Sequence, residues 1–274
     1  MKSKKINDKK NRIYSQTKTS SLIVYGISDR GRVRPTNEDS IYIDSDGRFI
    51  LLADGIGGHV RGAEASETVI KIFCDHFEPD ILSELLKNDD ITDTTGNVPE
   101  EISRYKSLIF SATKKSNSFL NQKNKELNNQ RGMGTTIVGL IFINSIKHLV
   151  WFHIGDSRLY RWRNNELSCL TEDHSAYFEW KKAGKIGRPP KSNIITRAIG
   201  PVSHVMPDIK WESWKQNDSY ILCSDGLTNM VTDEQIEDTL LDESNPEFIS
   251  KKLLNTANNK GGKDNISVIS ICLN

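Results

Sequence analysis

Four short apolar runs in this chain each end at, or lead out of, an aspartate that has glycine close by, and this restricts the fold more than any other feature. Asp54 closes Phe49-Ile-Leu-Leu-Ala53 and precedes Gly55. Asp156 ends the run Leu149–Ile154 and follows Gly155. Asp225 closes Tyr220-Ile-Leu-Cys-Ser224 and precedes Gly226. Asp264 leads into Ile266–Cys272, with Gly261 and Gly262 just before it. A carboxylate at the end of a buried strand, where glycine lets the backbone come close, is costly unless a cation sits beside it. A single Asp-Gly pair is ordinarily a turn. Four strand-end aspartates, joined by Glu38 and Asp39, make an all-oxygen anionic constellation. Oxygen donors select hard divalent ions such as Mg²⁺, Mn²⁺ or Ca²⁺ and disfavour zinc.

The apolar runs are short. Residues 21–28, 48–54, 135–143, 148–154, 157–163, 219–223 and 266–272 are rich in Ile, Val, Leu and aromatics and bounded by Gly, Asn or Asp, which predicts antiparallel strands. Helical spacing of apolar residues predicts helices over about 63–87 and 101–127, with a polar loop over 88–100 between them. Thr232-Asp-Glu-Gln235 has the form of a capping box, and Asn245-Pro246 that of an N-cap followed by Pro at the first helical position, so two further helices are expected near the end. No composition break or repeat divides the chain, so one α+β domain is expected over residues 21–274. It is preceded by a basic tail, 1–20, that carries Lys2, Lys4, Lys5, Lys9, Lys10, Arg12 and Lys18 and is read as disordered.

Charge removes several function classes. Lys plus Arg number 37 against 36 Asp plus Glu, a net charge of +1, which gives no general electrostatic case for nucleic acid or an acidic membrane. No stretch is long and apolar enough for a transmembrane helix or a secretory signal, so a cytoplasmic protein is expected. Cys74, Cys169, Cys223 and Cys272 are widely spaced and read as small buried hydrophobes in a reducing compartment. The position six residues after Cys74, Cys169 and Cys223 holds Asp80, Ser175 and Asn229 rather than the Arg of a thiolate phosphatase, and no Gly-x-x-x-x-Gly-Lys loop or kinase signature exists.

Seven segments, in order, resemble the protein phosphatase 2C family. They are Ser28-Asp-Arg-Gly-Arg-Val-Arg34-Pro-Thr-Asn-Glu38-Asp39, Ala53-Asp54-Gly55-Ile-Gly-Gly-His59, Gly132-Met-Gly-Thr-Thr136, Gly155-Asp156-Ser157-Arg158, Thr171-Glu-Asp173-His174-Ser175, Ser224-Asp225-Gly226-Leu227 and Asp264-Asn265. The Asp-Gly-Ile-Gly-Gly-His form is similar to that of bacterial members. The resemblance implies two antiparallel sheets in a central sandwich flanked by helix pairs, a four-layer αββα fold with metals at one edge. It implies a protein serine/threonine phosphatase using two Mg²⁺ or Mn²⁺ ions, with a third at Asp156. By the same resemblance, Asp54 would bridge two metals, Gly55 would offer its carbonyl, and Asp225 and Asp264 would hold the first ion. Asp39 would serve the second, Glu38 would hold metal-bound water, and Arg34 would bind the substrate phosphate.

Where animal relatives carry a histidine after the Asp-Gly pair as proposed acid, this chain has Ile56, and His59 lies three residues on. His59 either takes part in catalysis or caps the following helix, and the leaving-group acid is left unassigned. The basic segment 177–197, with Gly184, Gly187 and Pro189-Pro190, is expected as a flap beside the site, bringing Ser192 near the metals. The adjacent Asp173-His174-Ser175 is read as a helix opening rather than a triad, and His153 as a satisfied strand residue. Phosphoproteins, including a serine/threonine kinase or its targets, are the implied partners, and a monomer is expected. Two alternatives stay open: a non-catalytic phosphatase-like module that binds phosphoproteins, and a hydrolase of small phosphate esters.

Overall fold

The computed structural model describes residues 6–7, 13–19, 21–57, 60–78, 98–126, 132–191 and 194–274. Thirteen strands among these form two antiparallel sheets. The first sheet runs in the order β1 (Ile6–Asn7), β2 (Ile13–Lys18), β3 (Leu22–Asp29), β13 (Ile266–Leu273), β12 (Ser219–Cys223), β9 (Arg158–Arg163) and β10 (Glu166–Cys169). The second runs β11 (Asp208–Ser213), β8 (His148–Ile154), β7 (Ile137–Ile143), β5 (Phe49–Ile56) and β4 (Asp39–Ile43), with the short β6 (Gly134–Thr135) paired to β5. Helices α1 (Val60–His76) and α2 (Glu100–Glu126) lie on the second sheet. α4 (Asp225–Thr228), α5 (Asp233–Asp242) and α6 (Pro246–Asn259) lie on the first, and α3 (Ala176–Lys182) projects from the end of the sandwich that carries Asp156.

The strands read as nearly continuous apolar runs because both faces of each sheet are covered. In β5, Ile50 and Leu52 enter the core between the sheets, whereas Phe49, Leu51 and Ala53 face α1 and α2. In β3, Leu22 and Val24 point between the sheets while Tyr25 and Ile27 meet α5 and α6. The period of two is intact, but it alternates between two cores rather than between core and solvent. This is the four-layer αββα arrangement that the resemblance implied. The cap signals also hold: the Thr232 N–H donates to Gln235 Oε1 at 3.2 Å, and Asn245 Oδ1 accepts from the Glu247 N–H at 2.9 Å.

Part of the segment read as a disordered basic tail is strand, and residues 1–5, 8–12 and 20 lie outside the described residues. Residues 13–18 form β2, in register with β3 from Ile13 opposite Ser28 to Lys18 opposite Ile23, and Ile6–Asn7 pairs with β2 in turn. Ser15 and Thr17 are buried on one side of β2, an alternation hidden by the polarity of the residues that supply it. Strands β4, β10 and β11 were also not anticipated, because each exposes part of one face or lies at a sheet edge. Helix α1 spans Val60–His76; the rest of the helix expected to about 87, from residue 79 on, and most of the loop expected over 88–100 fall outside the described residues.

Gly139 of β7 sits opposite both Leu51 and Phe152, and a Cβ there would overlap the Phe152 ring. That ring stacks on Phe73 of α1 with centroids 5.2 Å apart, so the missing side chain fixes the seat of α1. Gly139→Val should therefore cost about 1–3 kcal/mol by overpacking. In that background Phe152→Ala should cost less than the ~3–5 kcal/mol expected in the parent chain. Thermal melts of the two single variants and the double variant check this, and strict additivity contradicts it.

Candidate metal centre

Register builds the centre. In the β4–β5 ladder Asp39 stands directly opposite Asp54, two carboxylates on neighbouring strands of one sheet. Like charges in that position destabilise a sheet. The first sheet brings the others: Asp225 opens α4 at the end of β12, and Asp264 precedes β13. Asp156 follows β8 and precedes β9, where the chain passes from the second sheet to the first. The structure thus gathers Asp39, Asp54, Asp156, Asp225 and Asp264 at one edge of the sandwich, with the 30–38 loop beside them.

Small polar residues hold this edge. Ser224 and Ser267, both buried, donate to Asp39 Oδ2 at 2.8 and 2.7 Å across the gap between the sheets. Asn265 accepts the Glu38 N–H at 2.8 Å, and its amide donates to the Arg30 and Thr36 carbonyls, fixing the loop that bears Arg34. Thr136 Oγ1 accepts the Asp54 N–H at 3.0 Å and lies 2.8 Å from Ser157 Oγ, beside Asp156. Gly55 donates to the Glu38 carbonyl at 3.2 Å; a Cβ at Gly55 would come 2.7 Å from that oxygen and would overlap the Gly62 carbonyl.

The electrostatics call for positive charge. Asp39 Oδ1 and Asp156 Oδ1 are buried and have no hydrogen-bond partner, an expensive state for an ionised oxygen. Burial, then repulsion from Asp225 and Asp264, pushes Asp39 up to about 7 against the bonds from Ser267 and Ser224. Burial and Asp225 raise Asp156 to about 7. Burial and Asp264 raise Asp225 to about 6. Asp54 is raised well above the carboxylate range by burial and by Asp39, Asp225, Asp156 and Asp264 together. A purely oxygen donor set with orphaned, mutually repelling carboxylates fits hard divalent ions.

Arg34 reaches the cluster: its Nη2 donates to Asp264 Oδ2 at 2.6 Å, and its side chain remains 46% exposed. Asp225 Oδ2 accepts from Asn229 Nδ2 at 3.0 Å. Glu38 is buried on the same loop. His59 and Ser192 lie outside the described residues.

Among the described residues, one triad brings three ligand atoms within 4.8 Å of one another: His153, His174 and Asp208. The five aspartates spread more widely, as like charges do and as a centre of more than one ion needs. The triad is a poor cation site. His174 Nδ1 accepts the Gly155 N–H at 3.0 Å, so in the neutral ring the proton is on Nε2, which faces Asp208 Oδ2 at 3.4 Å. His153 Nε2 meets the Glu172 carbonyl at 2.9 Å, in keeping with a satisfied strand residue. Ser175, not an adjacent-residue triad, caps α3 by accepting the Phe178 N–H at 3.2 Å.

Sequence reasoning missed Ser224, Ser267 and Thr136 as supports of the carboxylates. The available signal was small hydroxyl residues inside otherwise apolar strands, where a buried hydroxyl needs a partner.

The family profile described as Protein phosphatase 2C matches residues 32–265. The serine/threonine phosphatase stp of Listeria welshimeri is 35% identical over 257 residues, covering 89% of this chain and 93% of that protein. The crystal structure of the Mycobacterium tuberculosis serine/threonine phosphatase PstP/Ppp superposes with a TM-score of 0.74 at 31% identity, covering 92% of this chain and 99% of that one. A structure of the PstP catalytic domain in complex with 2 manganese ions superposes with a TM-score of 0.72 at 32% identity, covering 92% and 98%.

The raised carboxylates set the pH dependence of the metal-free protein. Below about pH 4 Asp39 is protonated both folded and unfolded and makes no difference. Between there and about pH 7 the folded state keeps a proton that the unfolded chain has lost, so stability falls as pH rises. In EDTA at pH 8, Asp39→Asn should therefore melt about 5 °C above the parent chain. The gap should narrow by pH 5, and saturating Mn²⁺ should reverse the order. A gap that is independent of pH would contradict the assignment.

Proposed function

Because the chain belongs to the protein phosphatase 2C family, we propose that it hydrolyses phosphoserine and phosphothreonine in proteins at a centre of two Mg²⁺ or Mn²⁺ ions, with a third ion at Asp156. The observation that carries this reading is the pair of buried carboxylate oxygens without a donor, Asp39 Oδ1 and Asp156 Oδ1, inside a cluster that repels itself. When bound, the ions supply Lewis acidity, lowering the pKa of a water and offsetting negative charge on the phosphoryl oxygens.

The chain's own residues have distinct tasks. Asp54, which the other four aspartates surround electrostatically, would serve both ions, with the Gly55 carbonyl offering a further oxygen. Asp225 and Asp264 would hold the first ion and Asp39 would serve the second. Ser224 and Ser267 occupy one Asp39 oxygen and so direct the other at the cation. Glu38 holds water at the centre. Arg34 is half exposed and already bonded at the rim to Asp264. It can exchange that carboxylate for two phosphoryl oxygens, a planar fork that stays charged at every working pH. It thereby orients phosphorus for in-line attack. A water oxygen bonds to phosphorus as the P–O bond to the serine or threonine oxygen breaks; one of that water's protons goes to the leaving oxygen and the other stays with the inorganic phosphate released. Unaided, such esters are among the slowest to hydrolyse, with up to ~10²¹-fold acceleration open to a catalyst, so charge neutralisation and positioning are the main tasks.

Phosphoproteins are the substrate class, with a serine/threonine kinase or its targets as candidates. No helix among the described residues is long and apolar enough to cross a membrane. Hydrolysis of p-nitrophenyl phosphate and of a phosphothreonine peptide should require Mn²⁺ or Mg²⁺ and stop in EDTA. Asp54→Asn and Asp225→Asn should each lower kcat by at least ~10³-fold, while Arg34→Ala should chiefly raise KM. Folded protein that turns over neither compound with any metal would overturn the reading in favour of a phosphoprotein-binding module.

A further inference from the structure

The segment after His174 forms a lobe of its own at the metal edge. Two hydrogen bonds tie its foot to the backbone that leads into Asp156: the His174 N–H donates to the Gly155 carbonyl at 2.9 Å, and the Gly155 N–H donates to His174 Nδ1 at 3.0 Å. Its neck closes through Thr196 N–H to the His174 carbonyl and Ala176 N–H to the Ile194 carbonyl, each at 2.8 Å, with Ser175 bridged to Ile195. One residue separates this neck from Asp156.

Beyond the neck the lobe is internally built. The Trp180 indole donates to the Ile186 carbonyl at 2.9 Å, the Lys185 N–H donates to the Trp180 carbonyl at 3.0 Å, and the Tyr177 and Trp180 rings lie 5.6 Å apart. Gly184 and Gly187 take positive φ, and a side chain at either would meet nothing within 4 Å. The lobe therefore stands out into solvent.

Its surface chemistry differs from that of the rest of the chain. Residues 176–191 contain Lys181, Lys182, Lys185, Arg188 and Lys191 against the single acid Glu179, in a protein whose net charge is +1. Lys182 pairs with Glu172, and Glu179 accepts from Thr196 Oγ1. Lys181, Lys185, Arg188 and Lys191 make no ion pair among the described residues. Exposed apolar side chains accompany them, Tyr177 at 42% and Ile186 at 81%. Solvation alone accounts for the lysines. It does not account for an ordered platform that presents unpaired cations and large apolar groups beside a phosphate site.

We propose that this lobe docks the sequence flanking the phosphorylated residue and selects substrates with Asp or Glu near that residue, apolar side chains contributing at Tyr177 and Ile186. This deepens the phosphatase reading above and rests on it. Four unpaired cations raise the local concentration of an acidic segment and hold it by exposed ion pairs, each modest and all sensitive to salt. Selection then appears in KM and weakens as salt rises.

The test uses two phosphothreonine peptides that differ only in carrying Asp and Glu, or Asn and Gln, around the phosphoresidue. Each is assayed with Mn²⁺ at low and high salt, alongside p-nitrophenyl phosphate. The parent chain should favour the acidic peptide by about tenfold in kcat/KM at ~0.05 M salt, and by little at ~0.5 M. The variant K181E/K185E/R188E should lose the preference through KM. The variant K114E/K115E/K125E, which makes the same change in net charge on exposed positions of α2, should keep it. Equal rates on the two peptides, or a preference retained in the lobe variant, would overturn the inference while leaving the phosphatase reading intact. Loss of metal-dependent turnover on every compound would remove the reading itself, and the inference with it. Vesicles of anionic phospholipid supply a rival: binding to them that the lobe variant abolishes, with peptide selectivity unchanged, would assign the lobe to a lipid surface instead.

Discussion

Asp39 and Asp54 face each other across two neighbouring strands, and much of the rest of the molecule can be understood as making that pairing tolerable. Their backbones cannot move apart. The ladder fixes their backbones, Ser224 and Ser267 fix Asp39 from the other sheet, and Thr136 fixes the Asp54 backbone. With the two residues held opposite each other, protonation or a cation relieves the repulsion, and the upward shifts of Asp39 and Asp54 express the first. The same geometry is preorganised for the second, because no side chain has to be gathered when the cation arrives.

The sandwich gives this centre its mechanical character. Asp39 and Asp54 belong to one sheet, whereas Asp225 and Asp264 sit at strand ends of the other. Any cation shared between them joins the two sheets at an edge where few apolar contacts exist, since the core between the sheets is built from Leu, Ile and aromatic residues further along the strands. Ligation and sheet packing are thereby coupled: a cation that binds the folded chain alone stabilises it by mass action. The cost of an acidic edge, measurable in the metal-free protein, is the counterpart of that gain.

The layered fold was legible because β5 and its neighbours are apolar throughout, and the clustered aspartates stood out because they terminate those runs. Strand β4 was not legible. Asp39-Ser-Ile-Tyr-Ile43 alternates, but its polar start merges with the loop before it, so the opposition of Asp39 to Asp54 could not be seen in one dimension. Strand β2 hid behind the lysines around it, since Ser15 and Thr17 are buried while Gln16 and Lys18 are exposed, and burial of small polar residues leaves little trace in composition. The contacts of Asn265 and Ser267 join residues more than 200 positions apart. Such pairings depend on which strands become neighbours, and this chain has no local signal for the order of its sheets.

Asp156 stands apart from the other carboxylates in how it is held, and the difference bears on the lobe beside it. Three contacts hold the residues on either side of it: the Thr136 hydroxyl against that of Ser157, His174 Nδ1 against the Gly155 N–H, and Arg158 bonded through two nitrogens to Asp173 at 2.8 and 2.7 Å. Two of these three partners, Asp173 and His174, belong to the strand of chain that becomes the lobe. Arg158 also donates to Tyr160, whose hydroxyl donates to Asp233 at the start of α5, so the foot of the lobe is braced against the first sheet. A force on the exposed platform therefore has a short, stiff route to the Gly155 backbone. Displacement of that backbone moves a carboxylate whose Oδ1 has no hydrogen-bond partner to restrain it. By this construction Asp156, proposed above for a third ion, is the carboxylate of the cluster most directly connected to the lobe.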